Sequence, residues 1–242
     1  MKTSTMKKIC GFAVDFFMDT IAPADQHIRA IEKMSAEEFA DKIRAGQAFM
    51  NRPPKIDGVI DLFPYKNRLM RSALIEIKNH RNKKIGDLLG KVLLNELLRR
   101  RTPANSEPSI PIILIPIPIT AKKKRLRGWN QCELILDGLE KADAAGRSDR
   151  RFERRFEIRK DILIKTLETE DQVGKSRIER FENLRGSFMV RENSKTTGVM
   201  NLKGRNIIVM DDIVTTGATL REAKRTLLAK GARSVICVAL AH

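Results

Sequence analysis

The sequence predicts an α/β fold in which helices flank a mostly parallel central sheet. Three apolar runs, residues 110–119, 207–210 and 235–240, are rich in β-branched side chains. Continuous runs of this kind are typical of strands that are buried on both faces of a parallel sheet. Helical patterns separate the runs along the chain, as the crossover connections between parallel strands require.

The N-terminal part is predicted to be a small helical appendage over residues 1–55, followed by one main domain over 56–242. Apolar residues at helical spacing predict a helix within 11–22. Ser35 and Glu38 form a capping box, which predicts that a second helix begins there. The appendage is interpreted as a packing cap, with an interaction surface as the alternative.

The middle of the chain supplies further predicted elements. Apolar spacing predicts helices over 69–79 and 83–101, and residues 141–160 are interpreted as an exposed, mixed-charge insertion. Within it, Phe152 and Phe156 are expected to pack on a helix face, with base stacking as the alternative. The predicted strands are, in chain order, 110–119, 162–167, 186–190, 207–210 and 235–240.

Composition and charge favour a globular, cytoplasmic protein with phosphate-rich partners. The 242 residues carry a net charge of +17, which attracts polyanions. A basic surface without a nucleic-acid role is the alternative. The three cysteines lie too far apart for a disulfide framework or a zinc site. Membrane insertion is not expected, because the most apolar run, 110–119, is short and contains three prolines.

Residues 207–219 combine a strand, an acid pair, a hydroxyl-rich turn and the start of a helix. Such a unit leaves free backbone N–H groups at the helix N-terminus, where the macrodipole favours an anion. Threonine hydroxyls add donors, and small residues keep the turn thin enough for a phosphate to approach the backbone. The predicted phosphate-binding residues are Val214, Thr215, Thr216, Gly217, Ala218 and Thr219.

The acid pair, Asp211 and Asp212, comes directly before this turn and is the predicted catalytic element. Two carboxylates at that position can accept hydrogen bonds from sugar hydroxyls. A phosphate beside vicinal hydroxyls describes a ribose 5-phosphate. The alternative is an ordinary βα turn with a solvated acid pair.

This stretch resembles the phosphoribosyl-pyrophosphate (PRPP) motif of type I phosphoribosyltransferases. Three other stretches narrow the resemblance to the ComF/GntX-like family, the competence protein F group, and it extends from about residue 60 to the end. They are Phe63-Pro64-Tyr65 leading to Ile77-Lys78; Ile115-Pro116-Ile117-Pro118 with Arg127-Gly128-Trp129-Asn130-Gln131; and Gln172-Val173-Gly174 through Asn183-Leu184-Arg185-Gly186-Ser187-Phe188.

The resemblance implies a type I phosphoribosyltransferase fold that binds PRPP or ribose 5-phosphate with Mg²⁺. Residues 168–185 match the loop that closes over PRPP in this superfamily. The family's four-cysteine zinc ribbon is missing here, so no zinc and no resident metal ligands are expected. Candidate contacts for pyrophosphate or nucleic acid, with a solvated charge run as the alternative, are Lys122, Lys123, Lys124, Arg125 and Arg127.

Three functional hypotheses follow from the resemblance. The first is an enzyme that transfers phosphoribose to an unknown acceptor and takes part in DNA uptake during natural transformation. The second is an accessory protein that binds single-stranded DNA and works with competence-machinery proteins. The third is a module that binds PRPP as a signal and does not react.

Overall fold

The computed structural model describes residues 25–47, 55–100, 110–146, 155–166, 185–191, 193–194, 198–199 and 202–242. The predicted helix within 11–22, the closing loop within 168–184 and Phe152 lie outside these residues. None of the helices in the described ranges is long and apolar enough to cross a membrane.

The described ranges contain seven helices. They are α1 (Asp25–Glu32), α2 (Ala36–Gln47), α3 (Arg68–His80), α4 (Lys83–Arg99), α5 (Ala121–Arg127), α6 (Gln131–Ala145) and α7 (Ala218–Ala229). The helices predicted over 69–79 and 83–101 are confirmed as α3 and α4. The predicted capping box is also confirmed in part, because the Ser35 hydroxyl accepts a hydrogen bond from the Glu38 N–H at 3.0 Å.

The central sheet has five parallel strands in the order β1-β9-β8-β2-β3. Two further pairs, β4 with β5 and β6 with β7, are antiparallel and separate from it. In chain order the strands are β1 (Val59–Phe63), β2 (Ile112–Pro116), β3 (Phe156–Ile158), β4 (Leu163–Lys165), β5 (Phe188–Val190), β6 (Asn193–Ser194), β7 (Gly198–Val199), β8 (Asn206–Ile213) and β9 (Ser234–Ala241).

Helices cover both faces of the central sheet, so its inner strands are apolar on both sides. In β2, Ile112 and Leu114 join the core under α4 and α6, whereas Ile113 and Ile115 join the core under α7. Helices α1 and α2 bury Ile31 and Phe39 in the first of these cores. The predicted α/β class with a mostly parallel sheet is therefore confirmed.

The structure differs from the sequence analysis at three points. The strand β1 was not predicted, because its five residues include Asp61 and carry no clear apolar run. The insertion predicted at 141–160 is wrong at its described ends, because α6 extends to Ala145 and β3 forms the edge of the central sheet; residues 147–154 lie outside the described residues. Phe156 is only 8% exposed within the core, so it is unavailable for base stacking. The strands predicted at 162–167 and 186–190 exist, but they pair with each other outside the central sheet.

Helices α4 and α6 pack at unusually close range. A Cβ added to Gly90 would lie 2.3 Å from the backbone nitrogen of Leu139, and one added to Gly138 would lie 2.5 Å from the carbonyl oxygen of Gly86. Only residues without a side chain permit this approach. The packing fixes α6 on the sheet, and its first turn reaches the site described next.

Candidate functional site

The adjacent strands β2 and β8 form a switch point in the sheet topology. The chain leaves β2 through α6 towards β3, and it leaves β8 through α7 in the opposite direction towards β9. In open α/β sheets, ligands bind outside the carboxyl ends of the strands at such a point. Pro116 at the end of β2 pairs with Met210 of β8, so the acid pair that follows Met210 lies at this edge.

The predicted phosphate-binding residues form the connection from β8 to α7. The Val214 N–H donates to the Ala241 carbonyl at 2.8 Å, which attaches the loop to β9. Gly217 is the N-cap residue of α7 and has no side chain to cap it, but the Thr216 hydroxyl accepts from the N–H of Ala218, the first helical residue, at 3.4 Å. The N–H groups that follow Ala218 in the first turn lie at the carboxyl edge of the sheet, where an anion can accept from them.

Gly217 cannot be replaced by a larger residue without displacing its surroundings. Its φ is +73°, in the left-handed region, and an added Cβ would lie 2.6 Å from Cγ2 of Ile56. The Arg221 guanidinium donates to the carbonyl of Thr216 at 2.6 Å and so supports the same loop. The sequence reasoning missed Arg221. A cation in the first turn of a helix is unfavourable with the macrodipole. Its presence there was the sequence signal that Arg221 has a specific role in the loop.

The acid pair lies at the end of β8 and is held by the backbone and by α6. Asp211 Oδ1 accepts from the N–H of Asp212, and Asp212 Oδ1 accepts from the N–H of Ile213, both at 3.0 Å. From α6, the Gln131 amide donates to Asp212 Oδ2 at 3.3 Å, and the Cys132 thiol lies 3.7 Å from Asp211 Oδ1. Both carboxylates are half-buried.

Burial dominates the electrostatics of this cluster. Burial raises the pKa of Asp211 well above its usual range, and the neighbouring charge of Asp212 raises it further. The Cys132 thiol also has a raised pKa, caused first by burial and then by the two carboxylates. Cys132 is therefore a protonated hydrogen-bond donor and is not an activated nucleophile.

Cys132, Asp211 and Asp212 bring three potential ligand atoms within 4.8 Å of one another. Mg²⁺ prefers oxygen ligands, so only the carboxylates of this group fit it.

The segment from Gly128 to Gln131 connects β2 to α6 through specific contacts. Gly128 has φ +84° and ends α5. The indole N–H of Trp129 donates to the Ile77 carbonyl at 2.8 Å, and the Asn130 side chain donates to the Ile117 carbonyl at 2.9 Å. Asn130 also caps α6. In the sequence, the apolar spacing from Trp129 to Leu139 predicts a helix that opens within Arg127–Gln131 and has Trp129 on its inner face; the helix instead begins at Gln131.

The predicted cationic stretch is the short exposed helix α5. Thr120 caps it, and none of its residues is buried. Lys124 pairs with Glu133 at 3.1 Å, and the Arg127 guanidinium donates to the Gln131 amide oxygen at 2.6 Å. Arg127 is thereby linked through Gln131 to Asp212, which connects α5 with the acid pair.

Comparison with known proteins agrees with this geometry. Residues 153–242 match the family model described as "Phosphoribosyl transferase domain". The chain is 27% identical over 187 residues to the "DNA utilization protein YhgH" of Escherichia coli O6:H1, covering 77% of this chain and 72% of that protein. It is 32% identical over 124 residues to the "Competence protein ComFC" of Bacillus subtilis, covering 51% and 41% of the two chains.

Among solved structures, the hypoxanthine-guanine phosphoribosyl transferase of L. donovani covers 65% of this chain and 71% of its own, at 12% identity and a TM-score of 0.36. That likeness is too low to add to the assignment, which rests on the sequence matches and on the sheet itself. The phosphoribosyl transferase domain over residues 153–242, together with the similarity to YhgH and ComFC, supports a ComF-like family for this chain.

Proposed function

We propose that the protein binds PRPP at the carboxyl ends of β2 and β8 and transfers its phosphoribose to an acceptor. One observation carries the proposal: the acid pair and the N-terminus of α7, whose N-cap residue is a glycine, lie together at the switch point of the sheet. The 5-phosphate is accepted by the loop from Val214 to Thr219, and the ribose hydroxyls donate to Asp211 and Asp212.

The chain's contribution to such a reaction is positioning and electrostatics. The bond from C1′ to the pyrophosphate oxygen breaks as the acceptor forms its bond to C1′, and the acceptor's proton passes to solvent. Positive charge develops on the sugar, and the acid pair stabilises it at short range. Mg²⁺, held mainly by pyrophosphate and ribose oxygens, would neutralise the leaving group. Cys132 is buried and its pKa is raised, so it does not serve as the nucleophile.

The biological setting is proposed from the relatives. YhgH is named a DNA utilization protein and ComFC a competence protein. We therefore place this protein in DNA uptake during natural transformation, in the cytoplasm, with competence-machinery proteins as partners. A phosphoribosyl transferase domain favours the enzyme over the two non-catalytic alternatives.

Calorimetry with PRPP and Mg²⁺ tests the binding step. Thr216→Asp places negative charge where the phosphate is expected, whereas Thr216→Asn has the same shape without the charge. We expect the Asp variant to lose binding and the Asn variant to retain most of it. Equal heats for the two variants and the wild type would overturn the proposal. Release of pyrophosphate in the presence of a cell extract then separates an enzyme from a PRPP sensor.

A nucleic-acid surface on α5 is a second part of the proposal. Five cations lie on this seven-residue helix, and Leu126 among them is 80% exposed. We expect binding of single-stranded DNA without sequence preference, with a log–log salt slope of about −0.7 for each phosphate contacted. Replacing the five cations by Gln should flatten that slope. A five-fold variant with the wild-type slope would locate the DNA surface elsewhere, and competition by PRPP would assign α5 to pyrophosphate.

A further inference from the structure

Gln131 links two charged parts of the site. It is the first residue of α6 and is only 8% exposed, although its side chain is polar. Its amide oxygen accepts from Arg127 Nη1 at 2.6 Å, and its amide nitrogen donates to Asp212 Oδ2 at 3.3 Å. A buried amide with both ends engaged by charged groups is held in one orientation.

Arg127 decides which end of the amide faces the acid pair. A guanidinium only donates, so it selects the amide oxygen and leaves the N–H₂ group for Asp212. The flipped amide would set its oxygen against a carboxylate oxygen and its N–H₂ against the guanidinium, which is unfavourable at both contacts. Asp212 therefore meets a donor.

The remaining contacts show which oxygens are left for a ligand. Asp212 is held at both oxygens, by the Ile213 N–H and by Gln131. Asp211 is held at Oδ1 by the Asp212 N–H and by Cys132. No described residue donates to Asp211 Oδ2. The protein thus orients Asp212 from α6 and leaves Oδ2 of Asp211 available for a hydrogen bond with a hydroxyl, which can both donate and accept.

We propose that Gln131 is a positioning residue that holds Asp212 for the ribose hydroxyls and is itself oriented by Arg127. The identity of the ligand rests on the function proposed above. The contact between Gln131 and the acid pair is independent of that proposal. Arg127 has two ways to affect ligand binding: it orients Gln131, and it is a candidate contact for pyrophosphate. Ribose 5-phosphate has no pyrophosphate, so its affinity reports only the orienting effect.

Two measurements test the proposal on the purified protein. The first is the carboxyl titration of the acid pair without ligand, followed by ¹³C NMR in Gln131→Met. Loss of an N–H donor to the carboxylate should raise the midpoint of the pair's titration. The control is Asn95→Leu, which removes another amide-to-carboxylate bond, from Asn95 to Glu37 at 2.8 Å, between α4 and α2.

The second measurement is calorimetric affinity for ribose 5-phosphate. We expect Gln131→Met to weaken it by roughly threefold to tenfold, as for one hydrogen bond, with Asn95→Leu unchanged. Arg127→Met should weaken it in the wild type but have no further effect in the Gln131→Met background. If Gln131→Met does not fold, Gln131→Leu replaces it, since that side chain also removes the donor without adding a charge.

The outcomes are distinct. A titration of the pair that matches the Asn95→Leu control in the folded Gln131 variant overturns the proposal, whatever the affinities. Additive effects of Arg127→Met and Gln131→Met overturn the orienting role of Arg127. A shifted titration with no wild-type heat for ribose 5-phosphate supports the positioning of Asp212 and counts against the proposed function instead.

Discussion

Replacing Gly217 by Ala should damage the phosphate loop in two separable ways. The left-handed φ of +73° costs an alanine about 1–2 kcal/mol relative to glycine. The added Cβ also lies 2.6 Å from Cγ2 of Ile56, so that side chain must retreat by roughly 0.8 Å to reach ordinary contact. Overpacking of this kind typically costs about 1–3 kcal/mol.

The two costs together predict a loss of about 2–5 kcal/mol in the free energy of unfolding, measured by urea denaturation. Gly204→Ala is the matched control, because Gly204 has φ +75° and nothing lies within 4 Å of its added Cβ. It should lose about 1–2 kcal/mol only. Gly217→Ala should also weaken ribose 5-phosphate binding, whereas Gly204→Ala should not.

A double-mutant cycle isolates the contact with Ile56. Ile56→Ala opens space beside the loop, so Gly217→Ala should cost less in that background than in the wild type. The difference between the two costs measures the overpacking. Equal costs of Gly217→Ala and Gly204→Ala, with no coupling to Ile56, would refute the reasoning about the loop.

Three other predictions concern packing and charge. Gly90→Ala should lose about 1–3 kcal/mol in urea because its Cβ meets the α6 backbone at 2.3 Å, whereas Gly146→Ala, 3.5 Å from its nearest atom, should be close to neutral. Burial raises the pKa of Asp211 in the folded protein above its value in the unfolded chain. The free energy of unfolding therefore falls as the pH rises from the usual carboxyl pKa to the raised one. Asp211→Asn should accordingly melt at a higher temperature than the wild type at neutral pH. The hydrogen bond from Arg225 lowers the pKa of Glu222, so Glu222→Gln should be less stable above the usual pKa of a glutamate, and denaturation at several pH values should show the difference vanish in acid.

The sequence predicted the site best where its elements are local. Strand β8, the acid pair and the loop into α7 lie within 24 consecutive residues, so each is visible from its neighbours. In the sequence, the spacing of Leu220, Ala223 and Leu227 predicts one inner face of this helix, and all three residues are buried in α7. The phosphate and ribose roles of this stretch stay predictions.

The sequence could not show contacts that join distant segments. The Trp129 indole reaches Ile77, and Gln131 reaches Asp212, 81 residues further along the chain. The short edge strand β3 was not predicted, for a related reason. Its three residues are too few for a periodic pattern, and only pairing with β2 makes them a strand. The start of α6 was predicted wrongly for the same reason. Trp129 fits the helical spacing, but its indole N–H donates to the Ile77 carbonyl of α3, a contact that the sequence does not show.

A crystal structure of the protein soaked with PRPP and Mg²⁺ tests the central claim most directly. The account predicts the 5-phosphate within hydrogen-bond distance of the backbone N–H groups from Thr215 to Thr219, and the ribose hydroxyls on Asp211 and Asp212. Gln131 should keep its contact with Asp212. Density for PRPP at another surface, with the crevice between β2 and β8 empty, would contradict the account.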